Sequence, residues 1–335
     1  MTAAFNRVLG RSGIQVSAVG LGCWAIGGPF WSGDTPVGWG EVDDEESIRA
    51  IHRALELGVN FLDTADVYGT GHSERVIARA LAGRRHEVVI ATKFGNLFDE
   101  SARQITGADA SPGYIRRACE ASLKRLNTDV IDLYQFHIND YPADQAAEVR
   151  DTLEALVKEG KIRSYGWSTD FPERARVFVE GPNCAAIQVD MNVLTDNAAI
   201  IALCEQFNQA AINRGPLAMG LLTGKYAANS KLAQNDVRGE HSPAWMRYFK
   251  DGKPHPEWLA RLDAIREILT GGGRTLAQGA LAWLWARSPQ TLPIPGFRTV
   301  AQVEENAGAM RFGPLTADQM REIDTLLGRA VSQEA

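Results

Sequence analysis

Short apolar runs alternate with amphipathic stretches along nearly the whole chain. VSAVGLG, GVNFLDTA, EVVIATK, VIDLYQFH, KIRSYGWS, AAIQVD, AAINRG and TLPIPG read as strands. They are almost continuously apolar, as strands buried on both faces are. Between them, apolar residues recur at helical spacing. The first such stretch begins at Asp43 and puts Ile48, Ile51 and Leu55 on one face, with Asp43 and Glu46 at capping-box spacing. HSERVIARALA follows the second strand. Ser111-Pro112, a cap followed by proline at the first helical position, opens a helix with Ile115, Ala118, Leu123 and Leu126 on its apolar face. Helices over 143–158, after Phe171-Pro172 and around 200–207 continue the alternation. Strands that alternate with helices in this way lie parallel and are joined by helical crossovers. Eight such pairs predict an α/β fold, a closed (β/α)8 TIM barrel, over residues 1–335 as a single domain. The alternative, an open doubly wound sheet, is disfavoured because no glycine-rich dinucleotide fingerprint stands near the N-terminus.

Two segments break the pattern. Residues 5–17 read as a hairpin turning at Arg11-Ser12-Gly13, a plug for the closed end of the barrel. Residues 215–256 form a long loop after the seventh strand that carries Trp245, Tyr248 and Phe249, and are read as a lid over a bound ligand. The end of the chain, from Ser332, reads as frayed.

Composition narrows the partners. A net charge of −6 argues against nucleic acid or an anionic membrane surface. No apolar run approaches the length that spans a bilayer, and the first residues lack the apolar core of a signal peptide. Cys23, Cys119, Cys184 and Cys204 are scattered without metal-ligand or redox spacing, which predicts reduced thiols in a cytoplasmic protein and no metal site.

Three consecutive strands end at ionisable residues: Asp63 in FLDTADVYG, with Tyr68 just after it, Lys93 in VVIATKFG and His137 in DLYQFH. Barrel strands deliver catalytic groups at their C-terminal ends. Tyrosine alone is a weak acid near neutral pH, and a neighbouring ammonium lowers its pKa. Asp63 would hold Lys93 charged, Tyr68 would give a proton to a carbonyl oxygen, and His137 would orient that oxygen. Singly, each residue has a plainer reading, as a structural ion pair, a packed ring or a core histidine. Their joint placement favours chemistry.

The order and wording of these segments resemble the aldo-keto reductase family across essentially the whole chain. The family's tetrad falls on Asp63, Tyr68, Lys93 and His137. LGCWAIGG resembles its first strand and loop, which implies Gly22, Cys23 and Trp24 beside cofactor and substrate. Ser168 and Gln188 match positions that bind the nicotinamide carboxamide. Thr169-Asp170 stands where many members have asparagine after that serine, and Arg214 where many have an aromatic residue stacked on the nicotinamide. RGPLAMGLLTGKY resembles the pyrophosphate loop, implying Gly215, Leu217, Gly220 and Lys225 along the phosphates. IPGFRTVAQVEEN resembles the adenosine end, with Gly296, Arg298, Gln302, Glu305 and Asn306 at matching positions. Gly296 replaces a lysine of some members, leaving Arg298 as the main basic group for a 2′-phosphate.

The resemblance implies an NADPH-dependent aldehyde and ketone reductase that tolerates NAD. Trp24, Trp31, Tyr68, Phe94 and His137 would form the substrate pocket, with Tyr141 nearby. The segments around Trp24 and in GLLTGK look most like the bacterial general-stress and inositol-operon reductases and the potassium-channel β-subunits. A cofactor-binding regulatory subunit is therefore an alternative, and a lyase using Lys93 as a Schiff base is a third. The sequence leaves the oligomeric state open.

Overall fold

The computed structural model describes residues 5–329; the end read as frayed, from Ser332, lies outside the described residues. Eight parallel strands form one sheet: β1 (Leu21–Gly22), β2 (Phe61–Asp63), β3 (Val89–Phe94), β4 (Ile131–Phe136), β5 (Ile162–Ser168), β6 (Cys184–Asp190), β7 (Ala210–Arg214) and β8 (Thr291–Pro293). Neighbours in space are neighbours in sequence. The first and last strands also meet. Gly20 N donates to Pro293 O and Gly22 N to Pro295 O, both at 2.9 Å, and Gly22 bridges Gly296 in parallel register. A Cβ on Gly22 would stand 2.6 Å from Ile294 O, so this seam closes only with glycine there.

Strand periodicity sorts the side chains. Phe61, Val89, Ala91, Leu133, Ala186, Ile212 and Leu292 pack inside the ring. Leu9, Ile14 and Val16 of the hairpin Asn6–Val8/Gln15–Ser17 join them, so the predicted plug closes that end. The plug turns where it was read, through a short 3-10 helix, Gly10–Ser12, closed by Gly13 with φ of 71°. The alternate residues, among them Phe94, Tyr134, Phe136 and Trp167, face the helices in a second apolar layer.

Those helices are α1 (Asp44–Glu56), α2 (His72–Ala80), α3 (Pro112–Leu126), α4 (Ala146–Lys158), α5 (Pro172–Val179), α6 (Ala198–Gln206), α7 (Pro256–Thr270), α8 (Leu276–Arg287), α9 (Val300–Gly308) and α10 (Ala317–Leu326). Ser111 Oγ caps α3 by accepting from Tyr114 N at 3.3 Å, as expected. Asp43 caps α1, accepting from Glu45 N at 2.9 Å and Glu46 N at 3.2 Å. The reciprocal half of that box does not form. Glu46 instead crosses to α9 and accepts from Val300 N at 2.9 Å.

Two features go beyond the eight-pair pattern. The seventh and eighth strands are each followed by two helices. Residues Trp31–Ser32, Thr35–Pro36, Asn96–Asp99 and Gln104–Ala108 build a small four-stranded sheet outside the barrel. Its strands are too short for their alternation to stand out in sequence. Among the described residues, no helix is long and apolar enough to cross a membrane.

Candidate active site

Lys93 lies one residue before the end of β3 and points into the ring because Ala91, two residues earlier, does so. It is fully buried. Its Nζ donates to Asp63 Oδ1 at 2.5 Å, to Thr64 O at 2.7 Å and to Tyr68 Oη at 3.3 Å. Asp63 closes β2 and is 2% exposed. Its second oxygen accepts from Gln135 Nε2 at 2.9 Å and from Gln188 Nε2 at 2.8 Å. The carboxylate is thus held from three strands besides its own.

Tyr68 and His137 differ from this buried pair in keeping part of their surface open. Their rings meet edge to face, with centroids 5.8 Å apart. Trp24 stacks over Tyr68 at 5.9 Å and 22°. The loop bearing Tyr68 is pinned at its base, where Thr64 Oγ1 and Ser73 Oγ lie 2.8 Å apart and Ser73 Oγ donates to Cys23 O at 2.8 Å. His137 Nδ1 is buried and has no hydrogen-bond partner among the described residues.

Burial opposes the charge on Lys93, but Asp63 and Tyr68 together outweigh burial and raise its pKa. The amine stays protonated. Tyr68 corrects a sequence expectation. Burial raises its pKa, and the pull of Lys93 only partly offsets that, so the phenol sits above rather than below the usual tyrosine value. Burial, then the nearby charges of Lys93 and Arg214, push His137 well below the imidazole range and keep it neutral.

A second group lies around the ends of β5 to β7. Ser168 and Gln188 are buried there. Thr169 Oγ1 donates to Asn139 O at 2.8 Å. Asp170 accepts from Asp190 N at 2.8 Å and forms an ion pair with Arg214. The two departures from the family's pattern are therefore partners: the acid at 170 fixes the guanidinium at 214. Past Gly215, the residues Ala218, Met219 and Gly220 take left-handed backbone angles in succession, with φ of 48°, 55° and 92°. Two of the three are not glycine, and such strain gathers at functional sites. Leu217 and Gly220 lie in this turn, and Lys225 lies just beyond it.

The start of α9 forms a further pocket with Asp43, Glu46, Lys225, Arg298, Thr299 and Gln302 on its walls. Arg298 Nη1 donates to Trp39 O at 3.2 Å, and the same guanidinium reaches Glu41 O. Asn306 Nδ2 donates to Gly296 O at 3.4 Å. The main-chain carbonyl of Glu305 accepts from Gln278 Nε2 at 3.0 Å.

Four residues expected at the mouth are placed as follows. Phe94 is fully buried on the helix side, stacked on Tyr134 at 4.5 Å, because Lys93 before it takes the inward position. Tyr141 packs edge-on against Phe136, on the same outer side. Cys23 is fully buried and burial raises its thiol pKa, so it presents no exposed thiolate. Trp31 belongs to the small outer sheet; besides Tyr68, the rings packed on Trp24 are Trp39, at 5.4 Å, and Trp245, at 6.2 Å.

Gln135, Trp39 and Arg238 were not foreseen. Gln135 was within reach, since it stands two residues before His137 on the same face of a strand. Trp39 and Arg238 carry no local signal, because they meet only through the long loop. Among the described residues, no cluster of His, Cys, Asp or Glu could hold a metal ion.

Comparison with known proteins agrees with this geometry. Residues 18–327 match the model of the aldo/keto reductase family. The chain is 30% identical over 323 residues to the uncharacterized oxidoreductase YqkF of Bacillus subtilis (strain 168), covering 96% of this chain and 95% of YqkF. It is 29% identical to the fission yeast (Schizosaccharomyces pombe) aldo-keto reductase yakc [NADP(+)], over 92% of this chain and 88% of that protein. The structure of glycerol dehydrogenase AKR11B4 from Gluconobacter oxydans superposes with a TM-score of 0.80 at 31% identity, over 100% of this chain and 98% of that one. The chain belongs to the aldo/keto reductase family and is an oxidoreductase of that type.

Proposed function

We propose that this protein reduces small aldehydes and ketones to alcohols with NADPH, and that Tyr68 supplies the proton. One observation carries the reading: the partly open phenol of Tyr68 lies 3.3 Å from Lys93 Nζ, itself buried and fixed by Asp63. A raised pKa keeps Tyr68 protonated through the physiological range, so it is always charged with the proton it must give. As that proton leaves, the Lys93 ammonium stabilises the growing phenolate charge. Neutral His137 faces the same space and orients the carbonyl oxygen. Trp24, Trp39 and Trp245 wall the approach, which suits a small, partly apolar carbonyl compound.

The residues fit a nicotinamide dinucleotide. Gln188 Nε2 spends both hydrogens on Asp63 and Gln135, which leaves Oε1 to accept from a carboxamide. Arg214 presents a planar cation beside it, Ser168 and Thr169 flank it, and the left-handed turn at 218–220 curves the main chain just past Arg214 and Gly215, where a pyrophosphate would lie. Gly22, Cys23 and Trp24 would border the nicotinamide with main chain and indole. Lys225, Arg298, Gln302, Glu305 and Asn306 would hold the adenosine end. When bound, the reduced nicotinamide supplies the hydride. The fission yeast relative's name carries NADP(+), which supports the phosphorylated cofactor, with NAD tolerated.

Within the family, the segments around Trp24 and in GLLTGK support kinship with the bacterial general-stress and inositol-operon reductases. The four cysteines are unpaired and buried, which supports a cytoplasmic setting. A Schiff base on Lys93 is disfavoured by its raised pKa and its three oxygen partners.

Tyr68→Phe tests the mechanism. Turnover of NADPH with an activated aromatic aldehyde should fall about a thousandfold or more. NADPH affinity, read by fluorescence titration, should stay within about twofold of wild type. Wild-type turnover in the variant would remove Tyr68 from the role of acid.

A further inference from the structure

The N-terminus of α9 is already answered by the protein. Gln302 N donates to Thr299 Oγ1 at 3.3 Å, and Arg298 N to Gln302 Oε1 at 2.7 Å. The first helical amide, Val300 N, is taken by Glu46, which comes from α1 rather than from the helix's own cap. Arg49 also donates to Glu46, at 2.8 and 3.2 Å. The Val300 bond first, and Arg49 second, hold the Glu46 carboxyl below the usual range, so it is ionised. The pocket around it sets two carboxylates, Asp43 and Glu46, against two cations, Lys225 and Arg298. Arg298 is in addition turned onto the Trp39 and Glu41 carbonyls. A helix start with basic neighbours attracts phosphate; here a fixed carboxylate stands in that place.

We propose that Glu46 is a specificity-determining residue that opposes a 2′-phosphate on the cofactor and so draws the preference toward NAD(H). The inference rests on the dinucleotide reading above. NAD(H) offers a hydroxyl at this point, and a hydroxyl can donate to a carboxylate, the pairing by which acidic residues select NAD in other folds. NADP(H) brings a phosphate of roughly −1.5 to −2 charge. That phosphate must displace Glu46 from Val300 N or lie beside it. Like charges a few ångströms apart in a partly solvated pocket repel enough to weaken binding about tenfold. Arg298 and Lys225 act in the opposite sense. The ratio of the two cofactors is then set by Glu46 against these cations.

Glu46→Gln isolates the charge, because a glutamine Oε1 still accepts from Val300 N and keeps the helix end satisfied. Dissociation constants for NADPH and NADH would be measured by titrating the purified protein, at low and high salt. NADPH should tighten about tenfold while NADH stays within about twofold, and the NADPH gain should shrink as salt screens the pair. Glu46→Lys should tighten NADPH further, and serves if the glutamine variant is poorly folded by its thermal midpoint. Equal change for both cofactors in these variants, or no change in either, overturns the proposal while leaving the reductase reading intact. A wild-type protein that binds neither cofactor would instead bring down the dinucleotide reading itself.

Discussion

At the scale of single residues, the site separates charge from access. Lys93 and Asp63 are buried together, while the two neutral groups, Tyr68 and His137, keep a face open to a ligand. The neutrality of His137 has a measurable consequence. Its pKa in the fold lies well below about 6.5, the value expected when unfolded. Below that pH the unfolded chain binds a proton that the native state refuses, so stability falls as pH drops, by up to about 1.4 kcal/mol per unit. Above it the contribution is constant. Asp66 works in the opposite sense, since burial first and Glu74 second raise its pKa and the native state holds its proton longer. The informative quantity is therefore a difference. Unfolding free energies of wild type and His137→Gln, measured by denaturant between pH 5.5 and 7.5, should diverge in slope, with the variant less sensitive to acid. Parallel slopes would mean that His137 titrates normally in the fold. That Asp63, Tyr68, Lys93 and His137 gather in one place was legible because each ends or follows an apolar run. The pKa of Tyr68 was not, because it depends on how deeply the ring is buried as well as on which residue stands beside it.

At the scale of elements, the loop between β2 and α2 sets where Tyr68 stands. Gly69 follows it with φ of 59°, and a Cβ there would lie 1.8 Å from Gly27 O. The Tyr68 loop and the loop after β1 therefore touch main chain to main chain. Gly69→Ala should force them apart, at a cost of about 3 kcal/mol in stability. It should also lower turnover more than tenfold by misplacing the phenol. Gly13→Ala is the control. Its φ is 71° but the space around it is open, so only the backbone penalty of about 1 kcal/mol remains. Thermal midpoints and turnover of the two variants decide the matter, and equal losses in both would show that contact with Gly27 is unimportant. The eight barrel strands and most helix starts were legible at this scale, since apolar runs and caps are local signals. Phe94 was read into the pocket, and Tyr141 near it, from closeness in sequence to the mouth, which says nothing of facing. Applied at Lys93, the two-residue alternation already puts the next side chain outside.

At the scale of the whole molecule, the long segment after β7 is tied back across the barrel mouth to the loop after β1. Val237 N donates to Gly38 O at 2.8 Å, and Trp39 bridges Asp236 in antiparallel register. Arg238 is the knot. It forks onto Asp236 at 2.7 and 2.8 Å, donates to Met219 O at 3.0 Å and Tyr226 Oη at 2.7 Å, and lies 4.5 Å from the centre of Trp39. One guanidinium thus joins the left-handed turn at 218–220, the strap and the indole that packs on Trp24. None of this was legible in sequence, because its partners lie up to about two hundred positions apart and each is unremarkable alone. The strap would have to loosen for a dinucleotide lying along that turn to leave. Replacing Arg238 by Gln together with Asp236 by Asn removes the knot without stranding a buried carboxylate. The double variant should release NADPH about tenfold faster in a stopped-flow displacement experiment, as expected where opening limits release. It should also be cut sooner by protease within residues 225–250, and its barrel should still unfold in a single transition. Faster cleavage with unchanged release would mean that the strap covers the mouth without retaining the cofactor. No change in either would mean that the remaining contacts, led by Val237 to Gly38, suffice to keep it shut.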